Sequence, residues 1–266
     1  ARKYNMFDIN PFAQLSSSVP PLVMQLFVIV MILMVAGGTL FDIIHKGSAK
    51  YFFQLVKKSK ANGTLTVSTG EKLAVVVKTT AHDVLASGEF CSTRRRIAHL
   101  LTMYGFVIYV VSTVIMVFGY SSLDTLTPAI LPYLWWLGGA MICVGGYWFW
   151  FFIRVDVSAE GNSPFRLIRA DLFVVSLMAS VTFGLIWAYL QGSSNAWSTL
   201  VLALYLIATL VFFGSVPWSK FSHMFFKPAA AYQKNLAIAN GGRRNLPPPS
   251  DSPAIYGKAQ RHTHNY

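Results

Sequence analysis

The chain has 266 residues, of which 54% are hydrophobic and 12% charged, with a mean hydropathy of +0.49 and a net charge of +12. These proportions are those of a membrane protein and exclude an ordinary soluble domain. The basic residues lie in segments between apolar runs, so no folded basic domain is visible and a nucleic-acid partner is excluded as well.

Crossing a hydrocarbon core of ~30 Å takes about 20 helical residues. Five apolar runs are long enough: residues 21–41, 97–120, 131–153, 172–190 and 198–216. The first run is too long for a signal peptide and no small-residue cleavage site follows it. Ala1 reads as the residue left after removal of an initiator Met. The predicted fold is therefore all-α, an integral membrane protein of five transmembrane helices. It divides into residues 1–44 (N-terminal segment and first helix), a basic connection 45–96, a four-helix membrane bundle 97–227 and a polar tail 228–266.

Between the first two spans lie ten Lys and Arg residues, opposed by Glu71, Asp83 and Glu89. Seven more basic residues follow the fifth span, opposed by Asp251 alone, whereas the connections near Asp124 and Ser194 carry none. This alternation predicts the N-terminus outside and the C-terminus in the cytoplasm of the cell inner membrane. Arg2 and Lys3 argue weakly for the reverse.

The first connection is long for a helical bundle. Leu65, Val67 and Leu73 to Val77 alternate with turn residues at Asn62-Gly63 and Thr69-Gly70, and Asp83-Val84-Leu85 before Gly88 reads as a short helix ending. Two readings stand: an ordered cap that docks a soluble subunit, or a loop lying on anionic lipid through its lysines. Gly138-Gly139 and Gly145-Gly146 in the third span permit close approach, either of another helix or of a flat macrocycle. Seven tryptophans and Tyr147 fall mostly near span ends, the pattern of an interfacial aromatic belt. The tail from Lys227 is polar, with Pro247-Pro248-Pro249, and by itself should be disordered or extended. Cys91 and Cys143 form neither a disulfide framework nor an iron–sulfur motif, so any cluster belongs to a partner.

The histidines carry the functional signal. His262 and His264 lie in the tail, His82 in the polar connection, and His45 just past the first span, all readable as surface or interfacial residues. His99 and His223 stand at the same membrane face of two apolar helices. Paired imidazoles from facing helices are the axial ligands of a six-coordinate b-type haem, and ionisable residues at membrane depth are functional candidates by default. Near the interface, however, water or lipid phosphate can satisfy both. Pro217 ends the regular helix and allows the chain to turn His223 inward.

Two segments resemble a known family. Pro217-Trp218-Ser219-Lys220-Phe221-Ser222-His223 resembles the segment ending the fifth helix of the nitrate reductase gamma subunit family, which includes the membrane cytochromes of heterodisulfide reductase and of the Qmo and Dsr sulfur-metabolism complexes. Cys91 through Arg94-Arg95-Arg96, His99 and Tyr104-Gly105-Phe106 resembles the approach to the second helix in those members. The resemblance covers roughly residues 90–227. It implies one haem b held by His99 and His223 near the cytoplasmic face, with the quinone pool as exchanging substrate. It also implies cytoplasmic flavin or iron–sulfur oxidoreductase subunits as partners, in sulfur metabolism. Two-haem members carry further histidines at positions occupied here by Tyr109 and Tyr205, so the outer haem is expected to be absent. Among single-haem relatives the chain looks most like the membrane anchors associated with adenylylsulfate reductase in sulfur-oxidising bacteria.

Arg94, Arg95 and Arg96 can pair haem propionates, and so can Lys220; each can equally mark the cytoplasmic boundary on lipid phosphate. Asp171 fits a helix N-cap and could alternatively move protons at a quinone site. No quinone pocket is legible; Tyr104 and Trp218 are named only for their nearness to the histidines. The competing classes are a haem-free anchor for a soluble redox complex and a small transporter. A transporter would show repeated halves or buried mid-span charge, and the spans show neither. No nucleophile–base set marks an enzyme in its own right, so the reading is an electron-transfer subunit of a complex.

Overall fold

The structure, a computed structural model, describes residues 6–45, 48–61, 63, 65–88, 90, 92–191, 196–218 and 223–241; the side chains at 48, 49, 51, 55, 58–60, 156, 170 and 223–226 are outside the description. Among the described residues the chain is all-helical. In chain order the helices are α1 (Pro11–Leu15), α2 (Pro21–His45), α3 (Ser48–Ala61), α4 (Thr69–Lys78), α5 (Thr93–Gly119), α6 (Ile130–Trp148), α7 (Val155–Ser158), α8 (Leu172–Gln191), α9 (Trp197–Gly214) and α10 (His223–Ala239).

Five helices are long and apolar enough to cross a membrane: α2, α5, α6 continued by a π-helical turn over Phe149–Ile153, α8 and α9. They match the five predicted runs to within a few residues. Consecutive helices pair, α5 with α6 and α8 with α9. The α6–α8 contact joins the two hairpins, and α2 lies against both α9 and α5, so the five form a ring. Their outward faces expose apolar side chains such as Leu33, Val107, Leu137 and Ile207. Lipid is the solvent that such a surface requires.

Close backbone packing holds α5 to α6. A Cβ on Gly138 would stand 2.7 Å from the Tyr109 nitrogen, and one on Gly145 would stand 2.7 Å from the Ala98 carbonyl oxygen. Helix contact is thus the role taken by these two glycines, as in small-residue membrane interfaces. Inside the ring, Tyr109 stacks on Trp135 at 4.9 Å and Trp187 on Tyr205 at 5.9 Å, while Phe12 of α1 meets both indoles. The belt reading therefore needs correction at Trp135, Trp187 and Trp150, which are buried. They sit near span ends but on inward faces, where the indole of Trp135 donates to Thr113 Oγ1 at 3.0 Å. Trp197 and Trp218 remain exposed.

The N-terminal segment closes the opposite end from His99. Asn10 caps α1 by accepting from Phe12 and Ala13, and its amide donates to the Tyr120 carbonyl (2.8 Å) and Thr127 Oγ1 (3.1 Å).

At the His99 end, the first connection and the segment after α9 form a helical cap. Thr69-Gly70, expected as a turn, instead opens α4. Ser68 and Glu71 make a reciprocal capping box that starts the helix there. A π-helical segment, Thr79–Leu85, continues α4. The expected disordered or extended tail needs correction at its start, because residues 223–239 form α10, while residues 242–266 lie outside the described residues. This helix packs on α3, α4 and the π-helical segment, with Asn235 donating to Thr79 Oγ1 (2.9 Å) and Asp83 Oδ2 (2.8 Å). The signal was present locally, because residues 229–231 and most of 233–239 are strong helix formers, and packing on the cap adds to it.

Candidate functional site

The first turns of α5 lie beneath the cap, and His99 is the centre of the contacts there. Its Nδ1 lies 3.0 Å from Ser87 Oγ, and its ring packs on Phe90 at 4.9 Å. Ser87 is buried and has a φ of 50°, in the left-handed region that disfavours a side chain. The turn thus holds a non-glycine residue in a costly conformation, and the hydroxyl that it carries reaches the imidazole. The ring of His99 remains exposed, and among the described residues no hydrogen bond reaches its Nε2.

Two of the three arginines brace this turn. Arg96 Nε donates to the Ala86 carbonyl at 2.7 Å, and Arg95 donates to the Ile153 carbonyl at 3.2 Å, closing the end of α6 onto α5. Arg94 is exposed. Tyr104, one turn beyond His99, donates to the Leu85 carbonyl at 2.8 Å. Three side chains from α5, those of Arg95, Arg96 and Tyr104, therefore satisfy carbonyls in the segment 85–90 or at the end of α6 that helix endings leave open.

His223 opens α10 rather than closing α9, which ends at Gly214 in a turn over residues 215–218. Its side chain, and all of Lys220, lie outside the described residues. One turn along α10, Lys227 places its ammonium 4.9 Å from the Phe90 ring centroid, a cation–π distance. Phe90 thus bridges His99 on one side and the first turns of α10 on the other.

The remaining candidates separate from this cluster. Asp171 does not cap α8 in the ordinary way. It lies in a 3₁₀ turn, accepts the Ile168 N–H at 3.0 Å and pairs with the buried Arg154 at 3.2 Å. Arg154 also donates to the Arg166 carbonyl and covers the Trp150 ring at 4.3 Å. His45 stacks on Phe41, and Trp218 is exposed. His82 bonds Asp83 at 2.8 Å. Partial burial raises the Asp83 carboxyl, but hydrogen bonds from His82 and Asn235 and the charges of His82 and Lys234 outweigh it, leaving it below its ordinary value. Cys91 lies outside the described residues. Reading the sequence missed Ser87, Phe90, Lys227 and Arg154; the Ser87-Gly88 pair ahead of the arginine run was the one local signal for the first.

A second feature lies within the ring. Between α2 and helices α5, α8 and α9 runs a groove of about 710 Å³, lined along α2 from Met24 to Ile43 and including Tyr109 and Tyr205. Among the described residues, no charged side chain and no histidine lines it.

The family model for citrate utilization protein B matches residues 73–242. The chain belongs to the citrate utilization protein B family. The match takes in α5, α6, α8 and α9 together with α10 and most of α4, and it begins after α2. No curated protein and no solved structure matches the chain. The His99 cluster thus lies within the family's residues, whereas the α2 wall of the groove lies outside them.

Of the two imidazoles that a six-coordinate haem requires, the described side chains supply one, His99. A neutral imidazole ligates through one nitrogen while its other nitrogen is held by a hydrogen-bonding partner, as Ser87 holds Nδ1 here. Arginine and lysine side chains at the same end, from α5 and α10, suit two propionates.

Proposed function

We propose that this chain is a membrane-anchoring b-type cytochrome subunit that passes electrons between the quinone pool and a cytoplasmic oxidoreductase of sulfur metabolism. One haem near the cytoplasmic face, held by His99 and His223, supplies a one-electron store between a two-electron quinol and a soluble partner. The observation that carries this reading is His99, exposed on one edge and anchored at Nδ1 by a strained, buried Ser87, beside the helix that His223 begins. The resemblance of the two histidine segments to the nitrate reductase gamma subunit family and its sulfur-metabolism members points the same way.

Each residue then has a physical task. Ser87 fixes the imidazole orientation and leaves Nε2 as the ligating nitrogen. Arg95 and Arg96 hold the surrounding backbone so that His99 cannot drift, while Arg94 and Lys227 offer positive charge to carboxylates. The cap built from α3, α4 and α10 is the docking surface for flavin or iron–sulfur subunits. The family's name ties its members to citrate utilization, so soluble oxidoreductases of either metabolism are candidates for the partner. The distribution of lysine and arginine places the cap and the C-terminus in the cytoplasm of the inner membrane. With a single haem on that side, quinone chemistry exchanges protons on the same side as the soluble reaction and generates little proton motive force.

The test is haem quantification by pyridine haemochrome on detergent-purified protein, with a reduced-minus-oxidised spectrum. A b-type band at about one haem per chain, lost in His99→Ala and His223→Ala, is expected. Folded protein without haem, produced with adequate haem supply, would leave the haem-free anchor as the function.

A further inference from the structure

The groove between α2 and the rest of the ring has a chemistry opposite to that of the His99 end. Its lining is apolar except for a few hydroxyls, and those can be accounted for one by one. Thr113 donates to the Tyr109 carbonyl at 2.7 Å and accepts from Trp135. Ser180 and Thr209 bond each other at 2.7 Å, and Thr209 also reaches the Tyr205 carbonyl. Three remain. The Tyr109 and Tyr205 hydroxyls are neighbours, but the buried Tyr109 hydroxyl has no hydrogen bond of ordinary geometry, and Thr39 Oγ1 is buried without one as well. Tyr109 is only 6% exposed.

A buried hydroxyl without a partner is costly relative to a satisfied one. In a membrane no water repays that cost, so an occupant of the groove that accepts hydrogen bonds is favoured over one that does not. A lipid acyl chain fills the space but satisfies neither hydroxyl. A haem would need an imidazole and cationic partners for its propionates, and the described lining has no histidine and no charged side chain. An uncharged ring bearing carbonyl oxygens, on an apolar body, meets both requirements. The volume of about 710 Å³ is that of a typical small-molecule site.

Access comes from the side. Of the five spans α2 is the least buried within the ring, and it forms one wall of the groove along roughly 29 Å at 1.5 Å per residue from Met24 to Ile43. A lipid-soluble molecule can enter between α2 and its neighbours without leaving the bilayer.

We propose that this groove binds the quinone, entering laterally past α2, with the Tyr109 hydroxyl donating a hydrogen bond to one carbonyl oxygen. The proposal rests on the quinone-linked reading above and gives that reading a site. Tyr109 stands ten residues beyond His99 on α5, about 15 Å along the helix. The quinone site is therefore built partly by a helix that the family match does not include.

A photoreactive azidoquinone, added to the full chain in lipid nanodiscs, tests it. Labelled peptides are mapped, and the label is competed with a short-chain quinone or with a tail-matched compound lacking the carbonyls. Labels on α2, α5 and α9, displaced by the quinone and not by its carbonyl-free analogue, are expected. Tyr109→Phe should weaken competition about fivefold, the scale of one hydrogen bond, without loss of folded protein. Ala36→Phe, which adds bulk from the α2 wall, should block labelling even if Tyr109→Phe proves uninformative through misfolding. Equal displacement by the carbonyl-free analogue would show a lipid-filled groove and overturn the proposal, as would labels on other faces or unchanged competition in folded Tyr109→Phe. Haem content of the same samples separates the two claims. Specific displacement without haem sinks the cytochrome reading alone, and haem without specific displacement sinks the groove alone.

Discussion

The His99 end and the α2 groove differ in nearly every physical respect. At the His99 end, Arg95, Arg96 and Tyr104 each donate to a backbone carbonyl, and the Ser87 hydroxyl pairs with His99 Nδ1. In the groove no charged side chain is present among the described residues, and two buried hydroxyls lack a hydrogen bond of ordinary geometry. The first presents an oriented imidazole beside positive charge, the features on which the proposed haem site rests. The second suits a neutral molecule that comes and goes through lipid. A chain that moves electrons between a fixed centre and a diffusing carrier needs both kinds of site, and here they are separated along α5.

The largest expected effect tests whether the two regions are independent. His99→Ala and His223→Ala should each remove essentially all bound haem while leaving quinone displacement at the groove within about twofold of the natural chain. Joint loss of both signals would show that the regions are one site. Next comes the clamp outside the cluster. Arg154→Ala leaves the Asp171 carboxylate buried without its cation, a change worth roughly 3 kcal/mol when such pairs are broken. Detergent thermal melts should show that loss, and Arg154→Lys should restore little, because one ammonium replaces a guanidinium that also bonds the Arg166 carbonyl. An unchanged melt would mean that the pair is solvated in the membrane-bound protein.

Much of this was legible in the sequence. Five runs of the right length fixed the spans, because a bilayer imposes length and apolarity on each helix separately. The two histidine segments stood out for the same reason, since polar residues at a membrane face are rare. What stayed hidden depends on distant contacts. Ser87 reaches His99 across twelve residues through a left-handed turn, and Phe90 meets Lys227 across the whole bundle. Trp135 and Trp187 look like belt residues by position, and only the direction of their helix faces makes them core. The helix α10 reads as a polar tail by composition, although its own residues favour a helix.

Two smaller effects sharpen the contrast. Ser87→Ala removes the partner of Nδ1, and loss of such outer-shell support typically costs 10- to 100-fold in metal affinity. Haem titration should show a drop of at least tenfold in Ser87→Ala, with groove labelling unchanged; equal affinity would make Ser87 merely structural. The smallest effect is acid sensitivity of the cap. Because the Asp83 carboxyl is held below its ordinary value, its contribution is present above the unfolded pKa of about 3.9 and is lost as pH falls through the folded value. Protection factors of the α10 amides, with the intrinsic pH dependence of exchange removed, should therefore fall at the acid end, and less so in Asp83→Asn. Protection factors that do not change with pH would remove Asp83 from the account.

The most direct test of the central claim is the near-infrared magnetic circular dichroism of the oxidised, purified protein, which distinguishes a bis-imidazole haem from other axial pairs. A bis-imidazole band from about one haem per chain, abolished by changing either His99 or His223, is the predicted result. A haem with any other axial pair, or a bis-imidazole signal that survives His99→Ala, would contradict it.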